Sequence, residues 1–469
     1  MAKMSQDADL TETLNRAPLG LFHLRAVIMS GMGFFTDAYD LFIIGAALVL
    51  IKTEWHPTAA MVGLMGSTAL VAAFVGAFVF GRLADLHGRK AVYGLVAGLM
   101  AFGAIGAALA PSMLWLIIFR FIMGLGIGGD YPVSAVLMSE YANTKDRGKL
   151  VGLVFSMQAV GLVTGPVVAM TLLAAGLPDA VAWRIMLGLG AIPAMAVIVM
   201  RLKMPESPRY VAEVRGDAEA AQKSLETLGV SATLAPRKAV SPAKRLSFRE
   251  FIHHPRYLVY LIGTAGTWFF FDYAYYGNSI SMPLVLKAVA PHASALTSMA
   301  WTLIVFAVFA VPGYILAVTL MDKIGHRKLQ LWGFLIMGLA FGTIALVPHL
   351  TTMVGPFLLV FGVSYFFAEF GPNTTTFVLP SEIYPTSVRT TGHGISAGVA
   401  KFGAFLGTLL FPLLEQRFGL SGTLFITFLF ALIGLGLTFL LPEPTQKSLE
   451  ELARDAEPEA QRKHLAQHA

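Results

Sequence analysis

Cysteine is absent from the 469 residues, which excludes disulfides and cysteine-ligated metals. Charge is scarce: Asp, Glu, Lys and Arg together make up 13% of the chain. A soluble protein of this length carries about twice that fraction to cover its surface. No G-x-x-x-x-G-K-[ST] run occurs, so nothing points to ATP as the energy source. The eleven histidines show no metal-ligand spacing, and neither a catalytic centre nor a bound cofactor is expected. The net charge of +6 is broken into short basic clusters between apolar runs, a pattern of membrane topology and not of a nucleic-acid partner. Residues 1–20 are polar and mixed in charge, unlike a cleavable signal. What fills the chain is apolar: 56% of it is hydrophobic and its mean hydropathy is +0.68. It reads as an all-α integral membrane protein lying in a lipid bilayer.

Runs of about 20 apolar residues mark candidate spans. They predict helices over 23–51, 59–83, 91–110, 113–140, 149–177 and 183–204, then 257–287, 295–321, 329–347, 353–383, 391–415 and 419–441. The expected organisation is an N-terminal segment 1–22, a six-helix half 23–204, a linker 205–256, a second six-helix half 257–441 and a tail 442–469. Within the linker, 208–228 is rich enough in Ala, Glu, Gln and Leu to form a short surface helix. Lys and Arg concentrate on the side that holds the linker and both termini, which predicts that side to be cytoplasmic.

The halves repeat. Arg82 to Lys90 (RLADLHGRK) is answered by Asp322 to Lys328 (DKIGHRK). Ser139-Glu140, with Arg147 seven residues after the Glu, is answered by Ser381-Glu382, with Arg389 seven residues on. Paired halves with a midplane site between them are the organisation of a secondary transporter.

Polar groups inside the spans mark the candidate site, because a carboxylate at the centre of a membrane helix costs about 2.5 to 3.5 kcal/mol even on the lenient insertion scale. The stretch GLGIGGDYPVS carries Asp130, Tyr131 and Pro132 in succession. Pro132 removes a helical hydrogen bond, so the helix is expected to bend or open there. Its glycines at 124, 126, 128 and 129 allow close approach of neighbouring helices. Asp37 and Asp40 share a helix face, and Trp268, Asp272 and Tyr276 recur at steps of four. Gln158 and Asn373 add amides, Glu369 lies four residues before Asn373, and Lys401 reads as the one cation deep in a span. Phenols, an indole, amides and a lysine suit an oxyanion, whereas Asp272 repels a fully ionised one. Dihydrogen phosphate reconciles the two, since its P–OH groups donate to the carboxylate while its other oxygens accept.

The loop GRLADLHGRK, PESPR at 205–209 and PEPTQKSLEEL at 442–452 resemble the major facilitator superfamily, in particular its sugar-porter branch. The runs FFTDAYDLF, GGDYPVSAVLMSEYAN, FGPNTTTF and GHGISAGVAKFGAF resemble, more narrowly, its phosphate:proton symporter family. The resemblance implies the major facilitator fold, with 12 transmembrane helices in two six-helix halves, in the plasma (cell inner) membrane. It implies phosphate contacts at Tyr131, Gln158, Trp268, Asp272, Tyr276 and Asn373, proton-carrying roles for Asp37 or Asp40 and for Asp130, and a supporting role for Lys401. It also implies a charge cluster of Asp85, Arg89, Glu140 and Arg147, with Asp322, Glu382 and Arg389 in the second half, that breaks and remakes as the halves rock. The family pattern implies an amide where this chain has Glu369, and a longer linker in its fungal and plant members. The expected activity is symport of inorganic phosphate with protons. A small organic acid, its apolar body stacked on Trp268 and Tyr276, is the alternative solute, and a phosphate receptor that signals without transport is the alternative class.

Overall fold

The computed structural model describes residues 10–229 and 246–455; the expected segment 1–22, linker and tail fall in part outside the described residues, over 1–9, 230–245 and 456–469. Every regular element among the described residues is helical. The first half comprises α1 (Leu21–Trp55), α2 (Ala59–His87), α3 (Arg89–Ala108) and α4 (Met113–Tyr141). Then come α5, interrupted at Met157 (Arg147–Ser156 and Gln158–Ala174), and α6 (Asp179–Gly188 and Ala191–Lys203). The second half comprises α7 (Pro255–Ile280), α8 (Ala295–Ile304 and Val311–Ile324 around a π-turn), α9 (His326–Leu346) and α10, which begins as Val354–Ala368. The helix Arg389–Thr438 is divided by Gly419, whose φ of 68° is non-helical, into α11 (389–418) and α12 (420–438).

Ten described helices are long and apolar enough to cross a membrane. Dividing the longest at Gly419 adds one, and α7, whose tyrosines and Asp272 hold its hydropathy down, makes the twelfth. In the linker, Pro208–Tyr210 runs into a π-turn, Gly216 breaks the path, and Asp217 caps the helix Ala218–Thr227.

The repeat seen in the sequence recurs in backbone geometry. α2 ends at Gly88 with φ 105° and ψ 149°, and α8 ends at Gly325 with φ 108° and ψ 137°, a region that L side chains rarely adopt. Each glycine turns the chain directly into the next helix, whose first N–H groups face a carboxylate. Glu206 of the PESPR run accepts from the Arg89 and Lys90 amides at 3.2 and 3.3 Å. Glu443 of the PEPTQ run accepts from the His326 and Arg327 amides at 2.9 and 3.2 Å. Both acids satisfy orphan donors at the positive end of a helix dipole, and both tie the close of a half to its third helix.

The glycines of α4 do what their spacing predicts. A methyl on Gly124 or Gly128 would collide with the Ala69 or Ala73 carbonyl of α2, and one on Gly126 with Val96 of α3. Pro132 does not open the helix: α4 stays helical from Met113 to Tyr141, held between α2 and α3 by these backbone contacts. The break falls in α10, where Glu369–Asn373 forms a π-turn around Pro372 before the helix resumes at Thr374–Val378. Thr374 and Thr376 hydroxyls donate to the carbonyls of Glu369 and Pro372 at 2.8 and 2.6 Å, serving carbonyls in the disturbed stretch.

Candidate functional site

Between the halves, side chains from seven helices join in one buried hydrogen-bonded network. Asp37 of α1 accepts at Oδ2 from the Tyr131 hydroxyl of α4 at 2.6 Å and from Gln158 Nε2 of α5 at 3.4 Å. Gln158 Nε2 also donates to the Tyr131 hydroxyl at 2.9 Å. Across the interface, the Tyr314 hydroxyl of α8 donates to Gln158 Oε1 at 3.3 Å and accepts from Asn373 Nδ2 at 2.8 Å. Asn373 in turn donates to Glu369 Oε2. On the other arm, Tyr131 and Tyr276 hydroxyls lie 3.4 Å apart, and Lys401 Nζ of α11 donates to Tyr276 and to Asp272 Oδ2, both at 3.0 Å. The ammonium also sits over the rings of Tyr131 and Tyr276, 4.4 and 4.3 Å from their centroids.

Aromatic walls enclose the network. The Trp268 ring packs on Tyr131, Phe377 and His393, and Phe42 stacks on Tyr276. Phe42 and Phe306 also line a cavity of ≈ 40 Å³ between α1, α5, α7 and α8, away from the linker. Asp37, Asp272 and Glu369 each keep one buried oxygen with no protein partner. The network thus offers six donor side chains, Tyr131, Gln158, Tyr276, Tyr314, Asn373 and Lys401, and three free carboxyl oxygens, enough to hold an oxyanion that itself carries protons.

Two of the expected carboxylates stand apart. Asp130 makes a two-pronged ion pair with Arg201 of α6, 2.7 Å from Nη1 to Oδ1 and 3.0 Å from Nη2 to Oδ2, and also accepts from Ser134. Arg201 lies over the Tyr93 ring. Asp40 is buried beside Gly190, in the field of Arg120 but making no bond with it; Arg120 Nε donates instead to the Met65 carbonyl at 3.0 Å. Of the α1 pair, only Asp37 therefore joins the network.

On the linker side the halves are latched. Arg89 pairs with Asp85 at 3.1 Å and Glu140 at 3.3 Å within the first half, and donates to the Thr386 carbonyl of the second at 2.8 Å. Glu140 also pairs with Arg389 at 3.0 Å. Arg147 pairs with Glu382 of the second half at 3.0 Å. His326 bridges Glu382 and Asp322, and Asp85 accepts from the Thr391 amide and hydroxyl, both at 2.6 Å. In this closed arrangement Glu382 serves Arg147 and Glu140 serves Arg389 across the interface, while Arg89 keeps Asp85 and Glu140 within its own half.

Residues 26–456 match the model of the family described as sugar (and other) transporter. A probable inorganic phosphate transporter 1-6 of Arabidopsis thaliana is 35% identical, over 97% of this chain and 98% of its own length. The repressible high-affinity phosphate permease of Neurospora crassa is 34% identical, over 96% and 90%. The chain belongs to the inorganic phosphate transporter family of the major facilitator superfamily. Its fold is that of the proton:xylose symporter XylE bound to 6-bromo-6-deoxy-D-glucose, with a TM-score of 0.80 at 20% identity over 92% of this chain and 98% of that one. It is a multi-pass membrane transporter and not an enzyme.

Four residues of this transporter's polar interior escape the sequence reading. Lys401 is not the one cation deep in a span, because Arg120 and Arg201 are both buried within the helices. The rule that flagged Lys401 would have flagged Arg120 in IIFRFIM. Tyr314, which joins Gln158 to Asn373, is a lone phenol in VPGYILAV and gives no periodic signal. His326 was legible only as a loop charge, yet it holds two carboxylates.

Proposed function

We propose that this transporter is a proton-coupled symporter that imports inorganic phosphate, as dihydrogen phosphate, by alternating access through the cell inner membrane, with both termini in the cytoplasm. The observation that carries the reading is the composition of the central network: donors from both halves converge beside carboxyl oxygens that lack a partner. Phosphate oxygens accept from Tyr131, Gln158, Trp268, Tyr276 and Asn373, while its P–OH groups donate to Asp272. Sulfate, which has no proton to give at neutral pH, meets the Asp272 carboxylate as a repelling charge. The names of the full-length relatives support the phosphate assignment, and the fold shared with a proton symporter supports alternating access.

Asp37 takes a proton at its partner-free Oδ1, and because its Oδ2 accepts from Tyr131 and Gln158 its charge state is felt at two phosphate contacts. Asp40 and Asp130 carry the remaining proton-coupling roles, the latter by exchanging its bond to Arg201 for a proton. Lys401 holds Asp272 until phosphate competes for both. The latch of Asp85, Arg89, Glu140, Arg147, Asp322, Glu382 and Arg389 closes the cytoplasmic side while the site loads from outside.

The test is uptake of labelled phosphate into liposomes containing the full chain, with and without an inward proton gradient. Gradient-driven uptake that sulfate does not compete for supports the reading. Indifference to the gradient removes proton coupling, and inhibition by short-chain or aromatic carboxylates without phosphate flux replaces phosphate by an organic acid.

A further inference from the structure

Glu369, like Asp37 and Asp40 of α1, is a buried acid of the interior without an ion pair among the described residues, but those two lie in the fields of Lys401 and Arg120 whereas Glu369 faces no cation. Asp272 has Lys401, Asp130 has Arg201, Glu140 has Arg89 and Arg389, and Glu382 has Arg147. Glu369 is fully buried, no cation pairs with it among the described residues, and its Oε1 has no partner. The groups that face it are the phenols of Tyr275 on α7, Tyr314 on α8 and Tyr365 on its own helix, with the Asn373 amide at Oε2. Gly313 of α8 packs against its Cβ, and a methyl there would collide with it. An ionised carboxyl in these surroundings would be an uncompensated buried charge, which folded proteins avoid by keeping the acid neutral.

Its position ties that proton to the solute. Glu369 opens the π-turn that Asn373 closes, and the chain Glu369, Asn373, Tyr314, Gln158, Asp37 is linked by hydrogen bonds at every step. We propose that Glu369 is a further proton-carrying group of this transporter, loading and releasing one proton for each phosphate moved. The inference rests on the symport reading above. Phosphate arriving at Asn373 and Tyr314 draws the Asn373 amide away from Glu369 Oε2, and brings an anion beside the carboxyl. Both effects hold the proton on the carboxyl while the solute is bound. An O–H bond forms with a proton from water on the loading side and breaks to water on the linker side once phosphate has left; no electrons are exchanged.

The experiment compares the native chain with Glu369→Gln and Glu369→Asp in liposomes, setting opposed phosphate and proton gradients to find the point of zero net flux. Each coupled proton multiplies the balancing phosphate ratio about tenfold per pH unit. Glu369→Gln is expected to lower that ratio by one such factor, while Glu369→Asp keeps the native ratio. A Glu369→Gln protein with the native ratio overturns the proposal and leaves phosphate symport standing. Native protein that carries no phosphate overturns the symport reading instead. Infrared absorption of protonated carboxyl groups in the purified chain then decides the point without transport: loss of one such band in Glu369→Gln supports a protonated Glu369, and identical spectra overturn it. Should Glu369→Gln fail to fold, Glu369→Asp is read in its place; its protonated-carboxyl band must be present and shifted from the native one, and an unchanged spectrum overturns the proposal.

Discussion

Arg147 Nε donates to Glu382 Oε1 across the interface at 3.0 Å, although Glu140 stands seven residues before Arg147 in its own half. Glu140 is taken by Arg389, which follows Glu382 at the same spacing. Two copies of one motif thus exchange partners, and the Ser139 hydroxyl donating to the Ser381 carbonyl at 2.9 Å marks where they meet. A latch built by exchange is lost when the halves part, because Glu140 then loses Arg389 and Glu382 loses Arg147.

Glu382→Gln removes one side of two contacts, Arg147 and His326. Breaking a buried pair by removing one partner costs about 3 to 5 kcal/mol, and the Arg147 contact, unlike that of His326, joins the two halves and so favours the closed arrangement. The absence of cysteine makes Leu86→Cys and Ile324→Cys, both exposed at the linker-side ends of α2 and α8, unique sites for spin labels. The label separation is expected to lengthen in Glu382→Gln. An unchanged distance distribution would show that the latch does not set the closed population.

The same residue fixes the pH response of the latch. Burial alone would raise the Glu382 carboxyl, but Arg147 and His326 hold it down at about 2, below its ordinary 4.5. A depressed acid contributes stability that is present above its ordinary value and lost as pH falls through the lowered one. Between about pH 5 and pH 8 the Glu382 contribution is therefore constant. The spin-label distance should not respond to pH in that window on account of Glu382. A pH-dependent shift that disappears in Glu382→Gln would contradict this.

Lys401 and Asp272 are both buried at the centre, and neither has another ion-pair partner among the described residues. Lys401→Met leaves Asp272 alone and is expected to cost about 3 to 5 kcal/mol, visible as a lowered thermal unfolding midpoint in detergent. Adding Asp272→Leu should restore most of the midpoint, since a buried pair replaced by apolar groups is often neutral. Phosphate uptake should stay lost in both. Recovery of uptake in the double variant would remove Asp272 from the solute contacts.

Much of this was legible from residue types alone, and the reason is the bilayer. Lipid makes every polar side chain in a span expensive, so Asp37, Asp272, Gln158, Asn373 and Lys401 stood out before any contact was known. The glycines of α4 were legible because close helix approach leaves no other choice. Pairing was not legible. That Arg147 meets Glu382, that Arg201 clamps Asp130 and that Tyr314 spans the halves depend on which helices lie side by side, and spacing along one helix carries no such information. The π-turn escaped for a related reason: Pro132 and Pro372 look alike in sequence, but α4 is held by glycine contacts on two sides and keeps its helix, whereas α10 relaxes into wider turns.

Asp130 decides between two uses of one carboxylate. Its pair of hydrogen bonds from Arg201 has the geometry of a structural clamp, and such charged hydrogen bonds contribute about 1.5 to 3 kcal/mol each. A proton carrier must break that clamp once in every cycle. Arg201→Lys keeps the charge but offers a point donor in place of a planar fork, so it weakens the clamp without leaving a bare acid. Asp130→Asn removes the proton site and keeps the shape. With Asp130 in the proton path, Asp130→Asn should abolish gradient-driven accumulation while phosphate counterflow, which needs no net proton movement, persists. With Asp130 as a clamp only, both activities should fall together in Asp130→Asn and in Arg201→Lys, in step with the loss of thermal stability. The first pattern is the expected one, because a clamp alone would leave Asp37 and Asp40 as the only carriers of the first half, and Asp40 makes no bond to the solute network.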